Sequence, residues 1–336
     1  ELAWSERRTT SRIKEALEGA GLSAQPLGPT GLVCDISTGH AADAELAGPE
    51  RAPRRILLRA DIDALPVPEE TGLPFSSLTP GVSHACGHDV HTTCVLGAAF
   101  ALAELAAREE LPAPVRIVFQ PAEEVQPGGA EAVIAAGVLE GVKAAFALHC
   151  DPKIEVGTIG SRVGSITSAS DPVRVTLRSH GGHTSRPYLT GDVVHVLGQI
   201  ITGAGAVLGR RIDPRSGVNL TWGAVHAGNA TNAIPTTGTL AGTLRVLDVN
   251  EWERAGELLD RSIAEIAAPY GVQVDINHLR GVPPTVNEAR CVAQIEAAAA
   301  DVLGAHAVLS TEQSLGGEDF GWYLRQVPGA MVRLGT

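Results

Sequence analysis

Along the first half of the chain, nearly unbroken apolar runs exchange places with stretches of helical period. Ile13, Leu17 and Ala20 recur on one face of a helix predicted over residues 11–20, with Gly21 as its stop. β-rich runs follow at 31–36 and 55–62, and the segment between them, 37–53, is rich in Gly, Ala and Pro and reads as a surface loop. A long loop over 66–85 leads into a helix expected over 90–108, with Asp89 placed to cap it. A strand at 115–119, a short helix at 130–136 and an apolar strand at 144–148 complete the run. Apolar strands alternating with helices predict an α/β domain whose sheet is mostly parallel and buried on both faces.

The pattern changes near Asp171. Over 172–179, Val173, Val175 and Leu177 alternate with Arg174, Thr176 and Arg178, the period of a half-exposed strand. A helix at 192–208, β-rich segments at 217–227 and 236–247, a helix at 251–268 and a strand at 272–279 follow. The order βαββαβ fits an antiparallel ferredoxin-like α+β domain with two helices on one face. Helix and strand resume at 287–303 and 330–334 in the style of the first part. The expected architecture is one α/β domain, residues 1–169 and 284–336, interrupted by a smaller one at 170–283.

Composition narrows the function classes. The 336 residues carry 38 acidic and 26 basic side chains, a formal net charge of −12, which disfavours general nucleic-acid binding. No polybasic stretch points to an anionic membrane, and the longest apolar tract, 95–107, is broken by Glu104 and too short to cross a bilayer. Five widely spaced cysteines, an odd count in a chain of this length, favour a reduced cytoplasmic setting. No signal peptide is visible, although a start at Glu1 leaves room for a lost leader.

Candidate chemistry gathers in three places. In Ser83-His84-Ala85-Cys86-Gly87-His88-Asp89-Val90-His91, Cys86 and His88 are two apart, so in an extended segment thiolate and imidazole point the same way, as a metal-ligand pair does. A buried cysteine beside a helix-capping histidine accounts for the same pair. In Gln120-Pro121-Ala122-Glu123-Glu124 two carboxylates end a strand and can divide the work of holding metal and facing a substrate; an exposed acidic turn is the plainer alternative. His149 closes an apolar strand, and Asp61 and Asp63 end an earlier one. Open α/β sheets bind ligands at the carboxyl ends of their strands, so Cys, His, Glu and Asp converge on one region. A Cys86 nucleophile would leave these carboxylates unused. No G-x-S-x-G elbow, Walker A or G-x-G-x-x-G signature is present.

With these residues assembled, the sequence resembles the M20 family of metallopeptidases and amidohydrolases, nearest the branch of N-acyl-amino-acid, hippurate and indole-acetyl-amino-acid hydrolases. The runs that carry the resemblance are Leu58-Arg-Ala-Asp-Ile-Asp-Ala-Leu-Pro66, His84-Ala-Cys-Gly-His-Asp-Val-His91, Phe119-Gln-Pro-Ala-Glu-Glu124, His149, Gly181-Gly-His-Thr-Ser-Arg-Pro187, Asn229-Ala-Thr-Asn-Ala-Ile-Pro235 and Gly316-Gly-Glu-Asp-Phe320. It implies two divalent ions, zinc or manganese or else cobalt, held by Cys86, His88, Glu124 and His149. Glu123 is then general base and later general acid, and Asp63 orients the site from behind. The interrupting domain becomes a lid and homodimerisation domain whose His183 polarises the scissile carbonyl, while Asn232 and Arg245 grip the substrate's carboxylate or carbonyl end. Glu318 and Asp319 lie in a family motif without an assigned role. The resemblance also implies a fifth ligand, a histidine beyond Thr336, and places Glu1-Leu-Ala-Trp inside the family's opening region, so both ends are expected to be missing.

The expected activity is therefore hydrolysis of N-acyl amino acids. A dipeptidase or carboxypeptidase of the same chemistry is the first rival, and a catalytically silent dimeric binding protein is the second. His40, His195 and His278 are expected at the surface or on helix faces. His84, His91 and His180 flank the motifs as candidates for supporting roles, and His226, beside the loop 229–232, is a candidate to line the pocket. Cys34, Cys94, Cys150 and Cys291 are expected to pack as small apolar residues.

Overall fold

The computed structural model describes residues 1–38 and 54–336. Most of the loop expected at 37–53, and His40 with it, lies outside the described residues. The chain divides into two compact units. The first comprises Glu1–Ile166, Thr285–Glu312 and Asp319–Thr336, and the second Thr167–Pro284 and Gln313–Glu318.

In the first unit an eight-stranded sheet runs in the order Ala24–Pro26, Leu32–Ile36, Val115–Gln120, Arg55–Asp61, Val142–Asp151, Gly329–Gly335, Ile159–Ser161, Val308–Ser310. The four central strands pair in parallel, with Leu58 opposite both Ile117 and Phe146, and Leu148 opposite Val332. Successive residues of the central strands feed opposite faces. Ala60, Ile117 and Phe119 pack with Ile13, Leu17, Val95 and Ala99 from the helices Arg7–Gly19 and His88–Ala107. Leu57, Val118, Ala145 and Met331 pack with Ala130, Val133, Phe320 and Tyr323 on the other side. Burial on both faces is why these strands read as apolar runs without alternation.

The helix expected from Val90 starts two residues earlier. Gly87, at φ +82, is its N-cap, and Asp89 makes no side-chain cap but lies in the first turn, where its charge suits the helix dipole. The earlier start puts His88 and His91 on one inward face, both fully buried. It also lengthens the helix beyond the apolar tract. His88–Ala107 and Val193–Arg211, with mean hydropathies of 1.5 and 1.3 over an 18-residue window, match a membrane span by length and composition alone, which the tract length had not suggested. Each lays one face on its sheet, through Val95 and Ala99 in the first and Val196, Leu197, Ile200 and Ala204 in the second.

The second unit has a four-stranded antiparallel sheet in the order Asn219–Ala227, Thr237–Val246, Ala169–Arg178, Gln273–His278. The helices Val193–Arg211 and Val249–Ala267 pack against it, capped by Asp192 and Asp248, whose carboxylates accept first-turn N–H groups. This is the βαββαβ arrangement of a ferredoxin-like domain.

His278 departs from the surface role expected of it. Its Nδ1 lies 2.8 Å from Asp260 Oδ1 and its Nε2 3.6 Å from Asp171 Oδ2. Asp171, fully buried, also accepts from Trp252 Nε1–H at 2.8 Å and Gly281 N–H at 2.9 Å, while the Arg280 guanidinium stacks on the Trp252 ring at 3.5 Å. Burial opposes a charge on His278, but Asp171 and Asp260 outweigh it and raise its pKa from 6.5 to about 9. A raised folded-state pKa contributes stability that is complete below pH 6.5 and is lost as pH climbs through about 9. Melting curves across that range should show the decline in the native chain and a flatter profile in His278→Gln. Equal slopes in the two proteins would contradict the assignment.

Candidate metal centre

The site is built where neighbouring parallel strands of the first unit end. Arg55–Asp61 runs out through Ile62 into Asp63, Val115–Gln120 into the turn Pro121-Ala122-Glu123-Glu124, and Val142–Asp151 carries His149 near its end. The N-terminus of the helix His88–Ala107 supplies Cys86 and His88 to the same edge. Gly87 is required between them. Its φ of +82 is left-handed, and a Cβ there would come within 2.9 Å of Cys150 Sγ.

The donor atoms converge. Cys86 Sγ lies 3.4 Å from His149 Nε2, and His88 Nε2 lies 3.7 Å from Glu124 Oε1 and 3.9 Å from Glu123 Oε2. Cys86, His88 and His149 form one group able to share an ion, and His88, Glu123 and Glu124 another. His88 Nε2 and Glu124 Oε1 are buried without a hydrogen-bond partner. Each such orphan costs about 1–3 kcal/mol unless something else satisfies it. A soft thiolate, two imidazoles and carboxylate oxygens are the donor set of zinc or a related divalent ion, so the residues present fit a metal.

The electrostatics agree. Burial opposes charge on His88, yet Asp61, Asp63, Cys86 and Glu123 push its pKa well above the ordinary imidazole range. Burial raises Glu124 and Cys86 as well, the first helped by Asp63 and Asp61. A bound divalent cation would shift each of these groups the other way, toward its deprotonated form.

Hydrogen bonds behind the donors decide which atoms face forward. His149 Nδ1–H donates to the Cys150 carbonyl at 2.7 Å, which leaves Nε2 as the lone-pair nitrogen beside Cys86. Asp63 Oδ2 accepts the Glu124 N–H at 2.9 Å, and its Oδ1 lies 3.3 Å from His88 Nδ1. His91 is fully engaged. Its Nε2 accepts from Cys150 N–H at 2.8 Å, so Nδ1 carries the proton and donates to Asp61 Oδ1 at 2.6 Å. With both nitrogens used, His91 holds Asp61 and the strand beside His149 and is not a ligand.

Beneath these groups lies a buried ionic cluster that sequence reasoning missed. Arg59 donates from Nη1 to Asp61 Oδ2 and from Nη2 to Asp319 Oδ1, both at 2.6 Å, and from Nε to Gln120 Oε1 at 3.1 Å. Gln120 Nε2–H also donates to both Asp319 oxygens at 2.9 and 2.7 Å, and Ala130 N–H donates to Asp319 Oδ2 at 3.0 Å. Arg59 and both aspartates are at most 1% exposed. With three charges and one neutral amide, the cluster ties two strand ends, a helix start and the Asp319 loop together. Its only sequence signal was four polar residues in otherwise apolar or Gly-rich contexts. Against His88 and His91, Asp61 stays ionised. Burial raises its pKa, but His88, Arg59 and His91 together hold it well below the carboxylate range.

The remaining predicted residues lie in the second unit. His183 is exposed on the short strand Gly182–His183, which pairs with Ala233–Ile234. Its Nδ1 accepts from Ser185 N–H at 3.1 Å, leaving Nε2–H as a donor. Asn232 adjoins the same ribbon, and its carbonyl accepts from Thr184 N–H at 3.1 Å. Arg245, on Thr237–Val246, pairs in register with Ser170 and Asn219 and donates to the Leu315 carbonyl. His180 and His226 are exposed.

The sequence pattern described as Peptidase family M20/M25/M40 matches residues 57–336. The chain is 50% identical, over its full length, to a Rhodococcus jostii (strain RHA1) protein provisionally named glutamate–cysteine ligase 2-3, of which it spans only 40%. It is 37% identical to N-acetylcysteine deacetylase of Bacillus subtilis (strain 168), covering all of this chain and 85% of that protein. Among solved structures, the Bacillus subtilis YxeP protein, described as a dinuclear metal binding peptidase from the M20 family, superposes with a TM-score of 0.81 at 34% identity. That match covers all of this chain and 84% of the other.

Removing Arg59 should strand two buried carboxylates. Arg59→Met is expected to lose about 3–5 kcal/mol in urea unfolding, the usual cost of breaking a buried pair from one side. A loss below about 1 kcal/mol, the worth of an exposed pair, would contradict the cluster's structural role.

Proposed function

The chain belongs to the peptidase family M20/M25/M40, hydrolases of amide and peptide bonds, and from that membership we propose that it cleaves the amide bond of N-acyl amino acids. The observation that carries this reading is the second carboxylate. Glu124 and His88 pair as unpartnered buried donors, while Glu123 brings Oε2 to 3.9 Å from the same imidazole nitrogen. In this reading Cys86, His88, Glu124 and His149 hold two divalent ions, zinc, manganese or cobalt, and Asp63 fixes His88 and the Glu124 backbone. Such ions, when bound, acidify a water and polarise a carbonyl.

The chain's own groups move the protons. Glu123 takes the proton of the attacking water, and the tetrahedral centre collapses as Glu123 passes that proton to the departing amine. His183 donates its Nε2–H to the carbonyl oxygen, where negative charge grows. Asn232 and Arg245 receive the substrate's carboxylate end. The second unit thus acts as lid, and its strand Asn219–Ala227, exposed along most of its length at one edge of the sheet, is proposed as the homodimer contact. All five cysteines are free thiols, which supports a cytoplasmic setting.

The deacetylase relative puts N-acetylcysteine first among candidate substrates. The ligase name belongs to a protein most of which lies outside the match and carries no weight for the reaction. Release of free amino acid from a panel of N-acyl amino acids and dipeptides separates this reading from a dipeptidase. Glu123→Gln should keep its metal and lose turnover by about 10²–10⁴-fold. Full activity in that variant would sink the mechanism.

A further inference from the structure

The turn that delivers Glu123 is held in a costly backbone state. Ala122, fully buried, has φ +56, in the left-handed region that residues with a Cβ avoid. Its peptide groups are claimed from afar. The N–H donates to Glu6 Oε1 at 2.9 Å and the carbonyl accepts from Gly129 N–H at 2.8 Å. Neighbours leave no slack, since a Cβ on Gly129 would collide with the Pro121 carbonyl and one on Gly31 would stand 2.7 Å from Pro121 Cδ.

Glu6 itself is an unusual residue. It is wholly buried at the N-cap of the helix Arg7–Gly19, yet its side chain makes no cap bond to that helix. Instead Oε1 accepts from Trp4 N–H at 3.0 Å as well as from Ala122, while Oε2 is buried without a partner. Trp4 has φ +62, so one carboxylate oxygen receives the N–H groups of two non-glycine residues in left-handed conformations. A carboxylate with an idle buried oxygen is a poor way to stabilise a fold. It is a good way to hold a strained turn in place.

We propose that Glu6 is a positioning residue: by fixing Ala122 in the left-handed state it sets the direction in which Glu123 projects. This rests on the reading of Glu123 as general base. The next residue is fixed separately, through the Glu124 N–H bond to Asp63, so losing Glu6 disturbs the base more than the ligand.

The test compares Glu6→Ala, Glu6→Met, Glu6→Gln and Glu6→Ala combined with Ala122→Gly, on whichever N-acyl amino acid the native chain turns over. Glu6→Met fills the volume without an acceptor and guards against a folding failure in Glu6→Ala. Both should lose kcat by about 10²-fold, the scale of a misplaced catalytic group, with KM and metal content retained. Glu6→Gln should recover most of kcat, since its amide oxygen accepts the same two N–H groups. Ala122→Gly should recover about tenfold in the Glu6→Ala background, because glycine enters the left-handed region without strain. Apart from activity, the Ala122 amide should exchange with solvent at least about tenfold faster in Glu6→Met while the sheet stays protected.

Full kcat in a folded Glu6→Met, or Glu6→Gln no better than Glu6→Met, overturns the proposal. Glu123→Gln run alongside separates the two readings. Full turnover in that variant overturns both, whereas loss of turnover there with full kcat in Glu6→Met overturns this one alone.

Discussion

Buried polar atoms that the chain cannot satisfy by itself are the constraint around which the first unit is organised. His88 Nε2 and Glu124 Oε1 face each other at 3.7 Å without a hydrogen bond, beside Cys86, His149 and Glu123. Leaving such atoms in a protein interior is unfavourable unless a ligand completes them. The charges make the same point: Asp61, Asp63 and Glu123 raise the pKa of His88 and burial raises that of Glu124, each shift the opposite of what a bound divalent cation imposes.

Supporting these atoms occupies much of the structure. A parallel sheet brings strand ends together, and Gly87 lets the chain pass Cys150 so that Cys86 and His88 reach the same edge. His91 uses one nitrogen on Cys150 and the other on Asp61, and Asp61 in turn shares Arg59 with Asp319. Rigidity of this kind fixes ring orientation and tautomer, the conditions under which first ligands bind tightly. On the neighbouring turn, the strain at Ala122 is confined by Glu6, Gly31 and Gly129.

Legibility in the sequence followed contact range. The central strands and the ferredoxin-like unit were readable because period and apolarity are local properties, as in Val173, Val175 and Leu177. The strand-end positions of Asp63, Glu123, Glu124 and His149 and the Cys-x-His spacing of Cys86 and His88 were readable for the same reason, and the structure brings these six together. The helix start was misread because Asp89 has the chemistry of a cap, whereas Gly87 has the backbone freedom of one. Arg59 meets Asp319 across 260 positions and Gln120 meets it across 199, and no local pattern announces such pairs. Glu6 and His278 escaped likewise, each looking like an ordinary polar residue until the fold supplied Ala122 to one and Asp171 to the other.

Cys86, His88, Glu124 and His149 are proposed as the metal-holding set. Cobalt loading tests it most directly, since a thiolate ligand adds a sulfur-to-metal charge-transfer band to the absorption spectrum. That band is expected in the native chain and in Glu123→Gln, and should disappear in Cys86→Ser with some cobalt still bound. An unchanged band in Cys86→Ser, or no such band in the cobalt-loaded native chain, would contradict the assignment.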